Sequence, residues 1–209
     1  ILSNNNDDLI IWSQTFPAGR EDEESVARLV MGRKFQAARS GFFQTNLFLT
    51  DRLVNEVCRM AGNEKINTVI DAYCGSGLFS VFLASYAENI IGIERDAKSL
   101  KYACINAEKA GVKNIQFIRG NVEDVLPGIF LSSKNKIDMI ILDPPRTGCG
   151  ESVLRAIKKL RPGHVIYISL LPLLLPVHFY RFQGPTKWSN GRFPHAAAVY
   201  SCARRIFFH

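Results

Sequence analysis

At 209 residues and 47% apolar content, the chain has the size and composition of one globular domain with its own core, which excludes a disordered or fibrous chain. Its net charge of +7 is unevenly spread: all 19 acidic residues lie at or before Glu151, alongside 17 Lys and Arg, while the 9 that follow have no acid among them, a distribution suited to a nucleic-acid surface. Five irregularly spaced cysteines without a Cys-x-x-Cys pair exclude a disulfide framework and a zinc site and point to a reducing, intracellular compartment, and no apolar run of about 18 residues is present to span a membrane.

Residues 1–40 read as an N-terminal extension or the remnant of a preceding domain, in keeping with a chain that opens on Ile1 rather than Met. They hold a short apolar run, Leu9 to Trp12, an acidic patch, Glu21 to Glu24, and the stretch Leu29 to Phe35, which suggests a strand and turn. Gly41-Phe-Phe-Gln-Thr-Asn46 opens the main domain, 41–209, whose tail from 170 onward has an atypical composition. Thr50 is placed to cap a helix with an apolar face of Leu53, Val54, Val57 and Ala61, ending near Gly62.

Val69 and Ile70 form a short apolar strand that stops at Asp71. Gly75 and Gly77 then permit a tight turn, and Phe79, Phe82, Leu83 and Tyr86 follow at helical spacing. A strand, a glycine turn and a helix N-terminus bring free backbone N–H groups close to a ligand, so a nucleotide-like cofactor is expected there. Dinucleotide-binding turns require Gly or Ala where this chain has Ser80, which disfavours NAD. An acid four residues before the first glycine, Asp71 to Gly75, is instead similar to the first motif of S-adenosylmethionine methyltransferases. Glu94, at the end of a second strand Ile90 to Ile93, is placed to accept the two ribose hydroxyls of an adenosine.

Beyond it, Asp96 caps a helix with an inward face of Ala97, Leu100, Cys104 and Ala107, and Gly111 ends it. A third strand spans Ile115 to Ile118. Asn121, just past it, either pairs with an adenine edge or caps the helix that holds Glu123 and Asp124. The fourth strand, Ile137 to Leu142, is nearly all apolar, as when both faces of a parallel strand are covered. A helix through Val153, Ile157 and Leu160 and a fifth strand, His164 to Ser169, complete the alternation. The pattern is that of a doubly wound, mostly parallel α/β sheet of the Rossmann-like class, with ligands at the carboxyl ends of the strands. Asp71, Glu94, Asn121 and Asp143 all fall at such ends.

Asp143-Pro-Pro-Arg146 is more specific than the glycine turn. Its prolines remove two amide donors and hold the backbone extended, which leaves a rigid lip beside the cofactor. Taken with Phe42-Phe-Gln-Thr-Asn46, Asp71-Ala-Tyr-Cys-Gly-Ser-Gly77, Glu94 and Gly120-Asn121, in this order, the chain resembles the S-adenosylmethionine-dependent RNA (uracil-5-)methyltransferases over residues 29–169. The resemblance implies an S-adenosylmethionine site at Gln44, Tyr73, Gly75, Gly77, Glu94, Asn121 and Asp143, and a tRNA or rRNA substrate.

Carbon 5 of uracil is a poor nucleophile, so in that family a cysteine thiolate adds to carbon 6 and a glutamate later removes the carbon 5 proton. The resemblance places the family's nucleophile, in Ser-Cys-Asn-Pro, at Ser169-Leu-Leu-Pro172, and the base near the end of Phe193-Pro-His-Ala-Ala-Ala-Val-Tyr200. Leu170 and Tyr200 therefore hold the two catalytic positions. Three accounts are open: a tail altered by a reading-frame or gene-model error, a relative that binds cofactor and RNA without catalysis, or a nucleophile moved to Cys149, at an expected helix start where a thiol pKa would fall. His164 and His195 are expected to be structural.

Overall fold

The computed structural model of the chain describes residues 2–3, 9–10, 25–39, 47–62, 66–132, 136–145, 147–170 and 177–183. β1 (Leu2–Ser3) and β2 (Leu9–Ile10) pair antiparallel, and β3 (Ser25–Val30) and β4 (Arg33–Ala38) form a hairpin around Met31 and Gly32. α1 (Leu47–Ala61) follows. Leu53, Val54, Val57 and Ala61 are its buried face, as expected, but Thr50 lies inside the helix and is itself buried, so it is not the cap.

The strand and helix alternation then runs β5 (Ile66–Ala72), α2 (Leu78–Leu83), β6 (Ala87–Glu94), α3 (Ala97–Lys109), β7 (Ile115–Arg119), α4 (Val122–Ser132), β8 (Met139–Leu142), α5 (Glu151–Leu160) and β9 (His164–Leu170). Tyr86, expected in the second helix, lies beyond the end of α2. A further strand that the sequence did not signal, β10 (Val177–Gln183), pairs antiparallel with β9 from Leu170 opposite Val177 to His164 opposite Gln183. The sheet order is β10-β9-β8-β5-β6-β7, with five parallel strands and one antiparallel edge. The order reverses between β5 and β8, and a crevice forms at such a point outside the carboxyl ends of the strands. No described helix is long and apolar enough to cross a membrane.

The two faces of the sheet explain the apolar strands. In β8, Met139 and Ile141 enter one core cluster and Ile140 and Leu142 the other, and all four are fully buried. The first cluster joins Val69, Ile90, Ile166 and Ile168 to α1, α2 and the hairpin residues Val30, Phe35 and Ala37. The second joins Ile70, Ile93 and Val165 to α4 and α5. Period-two side chains on a sheet covered on both sides leave no polar face, which is why these strands lack alternation.

α3 departs from the expected face. Its buried residues are Ser99, Tyr102, Ala103, Asn106 and Ala107, while Ala97 and Cys104 are exposed. The apolar period misled because a polar residue, Asn106, is buried against the hairpin and the glycine turn. The capping by Asp96 stands: its carboxylate accepts from Ser99 N at 2.8 Å, and Gly111 at φ 68° lies just past the end of the helix.

Two strands approach closely at Gly92, in β6. A Cβ there would lie 2.6 Å from Phe117 Cδ1 and 3.1 Å from Cys74 Sγ. Gly92→Ala is therefore expected to destabilise the fold by about 1–3 kcal/mol through overpacking, read as a lowered urea midpoint. A midpoint equal to that of the wild type would refute this packing.

Candidate functional site

The turn after β5 is held from several sides. Tyr73, Gly75 and Gly77 have φ of 65°, 54° and 80°. For tyrosine the left-handed region costs about 1–2 kcal/mol, so neighbouring contacts must impose it. They do: Tyr73 Oη donates to Glu123 Oε1 at 2.7 Å, Cys74 N donates to Ile93 O at 3.0 Å, and Gly77 N donates to Cys74 O at 2.8 Å. Asn106 Nδ2 donates to Ser76 O at 2.9 Å from behind. A Cβ at Gly77 would sit 3.1 Å from Ala103 Cβ, so glycine serves both the backbone angle and the close packing of α3 there.

Asp71 is fully buried near the end of β5. Its Oδ2 accepts from Ser80 N at 2.9 Å and from Ser80 Oγ at 2.6 Å, which ties the start of α2 to the strand. Ser80, the residue that disfavours a dinucleotide turn, thus has a positive role. Oδ1 has no hydrogen-bond partner among the described residues. Burial pushes the Asp71 carboxyl up to about 7; the two Ser80 bonds pull the other way, and the Glu94 charge adds to the rise.

Glu94 closes the other side of the turn. Gly75 N donates to its Oε2 at 3.0 Å and Asp96 N to its Oε1 at 2.7 Å. Each carboxylate oxygen has a second lone pair for a further donor. Asn121 lies beside it, exposed: its backbone carbonyl accepts from Asp124 N and Val125 N at the start of α4, and its Nδ2 donates to Asp124 Oδ2 at 3.0 Å. The Asn121 side chain therefore donates at this helix start rather than accepting as a side-chain cap does. Asp143 follows β8, half-buried, with its N donating to Ala72 O at 3.5 Å.

The structure thus brings Asp71, Tyr73, Gly75, Gly77 and Glu94 together around one turn. Phe42 to Asn46 with Gln44, as well as Arg146, Leu171, Pro172, Phe193, His195 and Tyr200, lie outside the described residues. Leu170 is the last residue of β9. Three site residues escaped the sequence reading: Glu123, Asn106 and Tyr167. Tyr73 and Glu123 lie 50 residues apart, and no local pattern signals their contact.

Cys149 requires a correction. It was expected near a helix start that would lower its pKa, but α5 begins at Glu151 with Gly150 as cap, and Cys149 packs against the second core cluster. Burial pushes its thiol up to about 12, the Tyr73 hydroxyl lowers it, and the Glu123 charge adds to the rise. Tyr167, on β9, is pushed up to about 12 by burial and then by Cys149 and Asp143. The region is acidic and holds thiols and phenols in their protonated forms.

With this geometry in view, comparisons with known proteins point one way. A family model described as tRNA (Uracil-5-)-methyltransferase matches residues 22–183. An uncharacterized RNA methyltransferase from Halalkalibacterium halodurans is 34% identical over 190 residues, covering 88% of this chain and 41% of its own length. One from Clostridium tetani is 35% identical over 142 residues, covering 68% and 31%. Among solved structures, the Pyrococcus abyssi tRNA (uracil-54, C5)-methyltransferase in complex with S-adenosyl-L-homocysteine superposes with a TM-score of 0.58 at 26% identity, covering 70% of this chain and 34% of that one. The chain spans 41% or less of the length of these curated relatives. The match across 22–183 takes in the hairpin, the glycine turn, both clamping carboxylates and β10, and on it the chain belongs to the tRNA (uracil-5-)-methyltransferase family.

Proposed function

We propose that this chain is the methyl-transfer domain of an RNA methyltransferase that takes its methyl group from S-adenosylmethionine and modifies carbon 5 of uridine in tRNA or rRNA, within an intracellular compartment. The observation that carries this reading is a glycine turn clamped between two carboxylates, Asp71 and Glu94, at the point where strand order reverses, in a chain of this family.

The residues fit an adenosyl sulfonium. Glu94 retains lone pairs for the ribose hydroxyls after taking its two backbone donors. Gly75 faces open space, since a Cβ there would meet nothing within 4 Å. Asp71 Oδ1 is a buried acceptor lacking a donor among the described residues. Gln44, Tyr73, Gly77, Asn121 and Asp143 complete the set assigned to the cofactor. Bound there, S-adenosylmethionine supplies an electrophilic methyl group.

Activation of the uracil is the step these residues serve least well. A leucine has no lone pair with which to add to carbon 6, and Leu170 ends β9 where the family resemblance places the nucleophile. Cys149, with its thiol pushed up to about 12, is scarcely ionised near neutral pH. This observation favours a second reading, a relative that binds cofactor and RNA without transfer. Incubating the chain with labelled S-adenosylmethionine and unmodified tRNA or rRNA separates the two. Label in carbon 5 of uridine is the outcome of the first, and saturable cofactor uptake with unlabelled RNA is that of the second. Absence of cofactor uptake overturns both.

Two further outcomes follow from the clamp. Glu94→Gln removes a charge-assisted acceptor worth about 1.5–3 kcal/mol, so the cofactor Kd in calorimetry is expected to rise at least about tenfold. An unchanged Kd removes Glu94 from the site. Asp71, raised from 3.8 to about 7 in the folded chain, favours the neutral form, so its contribution to stability is complete below pH 3.8 and is lost as pH rises through about 7. A cationic ligand favours the carboxylate instead. Cofactor affinity is expected to strengthen from pH ~5.5 to ~8, and Asp71→Asn to flatten that profile. Equal slopes in wild type and variant would contradict it.

A further inference from the structure

We propose that the groove between the β3–β4 hairpin and the C-terminal turn of α3 seats phosphates of the RNA backbone. The inference rests on the RNA-methyltransferase reading above and names a surface for its substrate. The groove has a volume of about 400 Å³ and is lined by Arg33, Lys34, Phe35, Asn106, Lys109 and Ala110. Three of these are cationic and none is acidic.

The state of those cations is what distinguishes them from ordinary surface charge. Arg33 Cζ lies 5.4 Å from the centroid of the Phe82 ring, and Phe82 stacks on Phe35 with centroids 5.4 Å apart and planes at 18°. An aromatic face fixes a guanidinium without neutralising it and leaves its edge N–H donors for a second partner. Lys109 Nζ donates to Gln36 Oε1 at 2.9 Å, again a neutral group, and keeps two further donors. Lys34 is exposed at the rim. Among the described residues none of the three forms an ion pair, whereas Arg59 pairs with Glu56 and Arg155 with Glu151. Two cations are thus oriented in advance and carry uncompensated charge, as a polyanion site requires.

The end of a helix usually repels an anion, because its last carbonyls are unpaired. Here Ala110 N, Val112 N and Gly111 N donate to the carbonyls of Asn106, Ala107 and Glu108, which removes much of that opposition. The floor is rigid as well. Gln36 N donates to Asn106 Oδ1 at 2.8 Å and Asn106 Nδ2 donates to Gln36 O at 2.8 Å, while the same amide reaches Ser76 O in the glycine turn. A chain of phosphates seated here is therefore held at a fixed offset from the cofactor turn. The groove exceeds the size of one phosphate, and exposed cations at its rim suit a backbone that passes across it rather than an enclosed small anion.

The test is the salt dependence of binding to an unmodified tRNA transcript by the full chain and by R33Q/K34Q/K109Q. Each phosphate contact contributes about 0.7–0.9 to the slope of log K against log salt, so the variant, which loses three, is expected to lose about 2.1–2.7 from that slope. Affinity at low salt should fall at least tenfold. K34Q alone, which disturbs no described packing, should lose a single contact's share, and R33K/K34R/K109R should keep the wild-type slope. A triple variant with wild-type slope and affinity overturns the groove and leaves the RNA reading standing, as does a charge-conserving variant as weak as the neutral one. A wild-type chain that binds no tRNA overturns both.

Discussion

Asp71 accepts the backbone N–H and the hydroxyl of Ser80, and this pair of bonds fixes where α2 begins relative to the end of β5. Between the two points the chain makes three left-handed excursions, two at glycines that adopt them freely and one at Tyr73, which its neighbours must hold. A rigid carboxylate at the base allows the intervening backbone to be shaped by contacts from three separate elements: Glu123 on α4, Glu94 on β6 and Asn106 on α3.

The same contacts divide the molecule electrically. The rim of the sheet holds Asp71, Glu94, Glu123 and Asp143; burial first, and nearby charges after it, raise the pKa of the neighbouring thiols and phenols. On the hairpin side Arg33 lies over the Phe82 ring and Lys109 Nζ donates to Gln36 Oε1, both neutral groups. Groups of opposite charge thus lie on different sides of one turn, and Asn106 links them through its bonds to Gln36 and to Ser76 O.

Much of this was legible in the chain, and the reasons for success and failure are physical. Asp71, Glu94 and the two glycines were visible because a tight turn and a strand end constrain residue type locally. The apolar strands were visible because a sheet covered on both faces admits little else. β10 was not, since its formation depends on pairing with β9 rather than on its own pattern. Asn106 was hidden because reading helices by apolar period discards a polar residue that is buried and satisfied. The Cys149 pKa was misjudged in sign: helix-start electrostatics acts locally, whereas burial among Tyr73, Glu123 and Tyr167 depends on residues distant in sequence.

Phe117 occupies the hollow that Gly92 and Gly77 leave behind the glycine turn: a Cβ on the first would lie 2.6 Å from the ring and a Cβ on the second 3.2 Å from it. Three positions on β6, β7 and the turn therefore share one volume. Enlarging either glycine while the ring remains produces a collision, and shrinking the ring while the glycines remain opens a void beneath the turn. Divergence at this spot would have to proceed by concerted exchange, so among distant kin these three columns should drift as a set rather than independently.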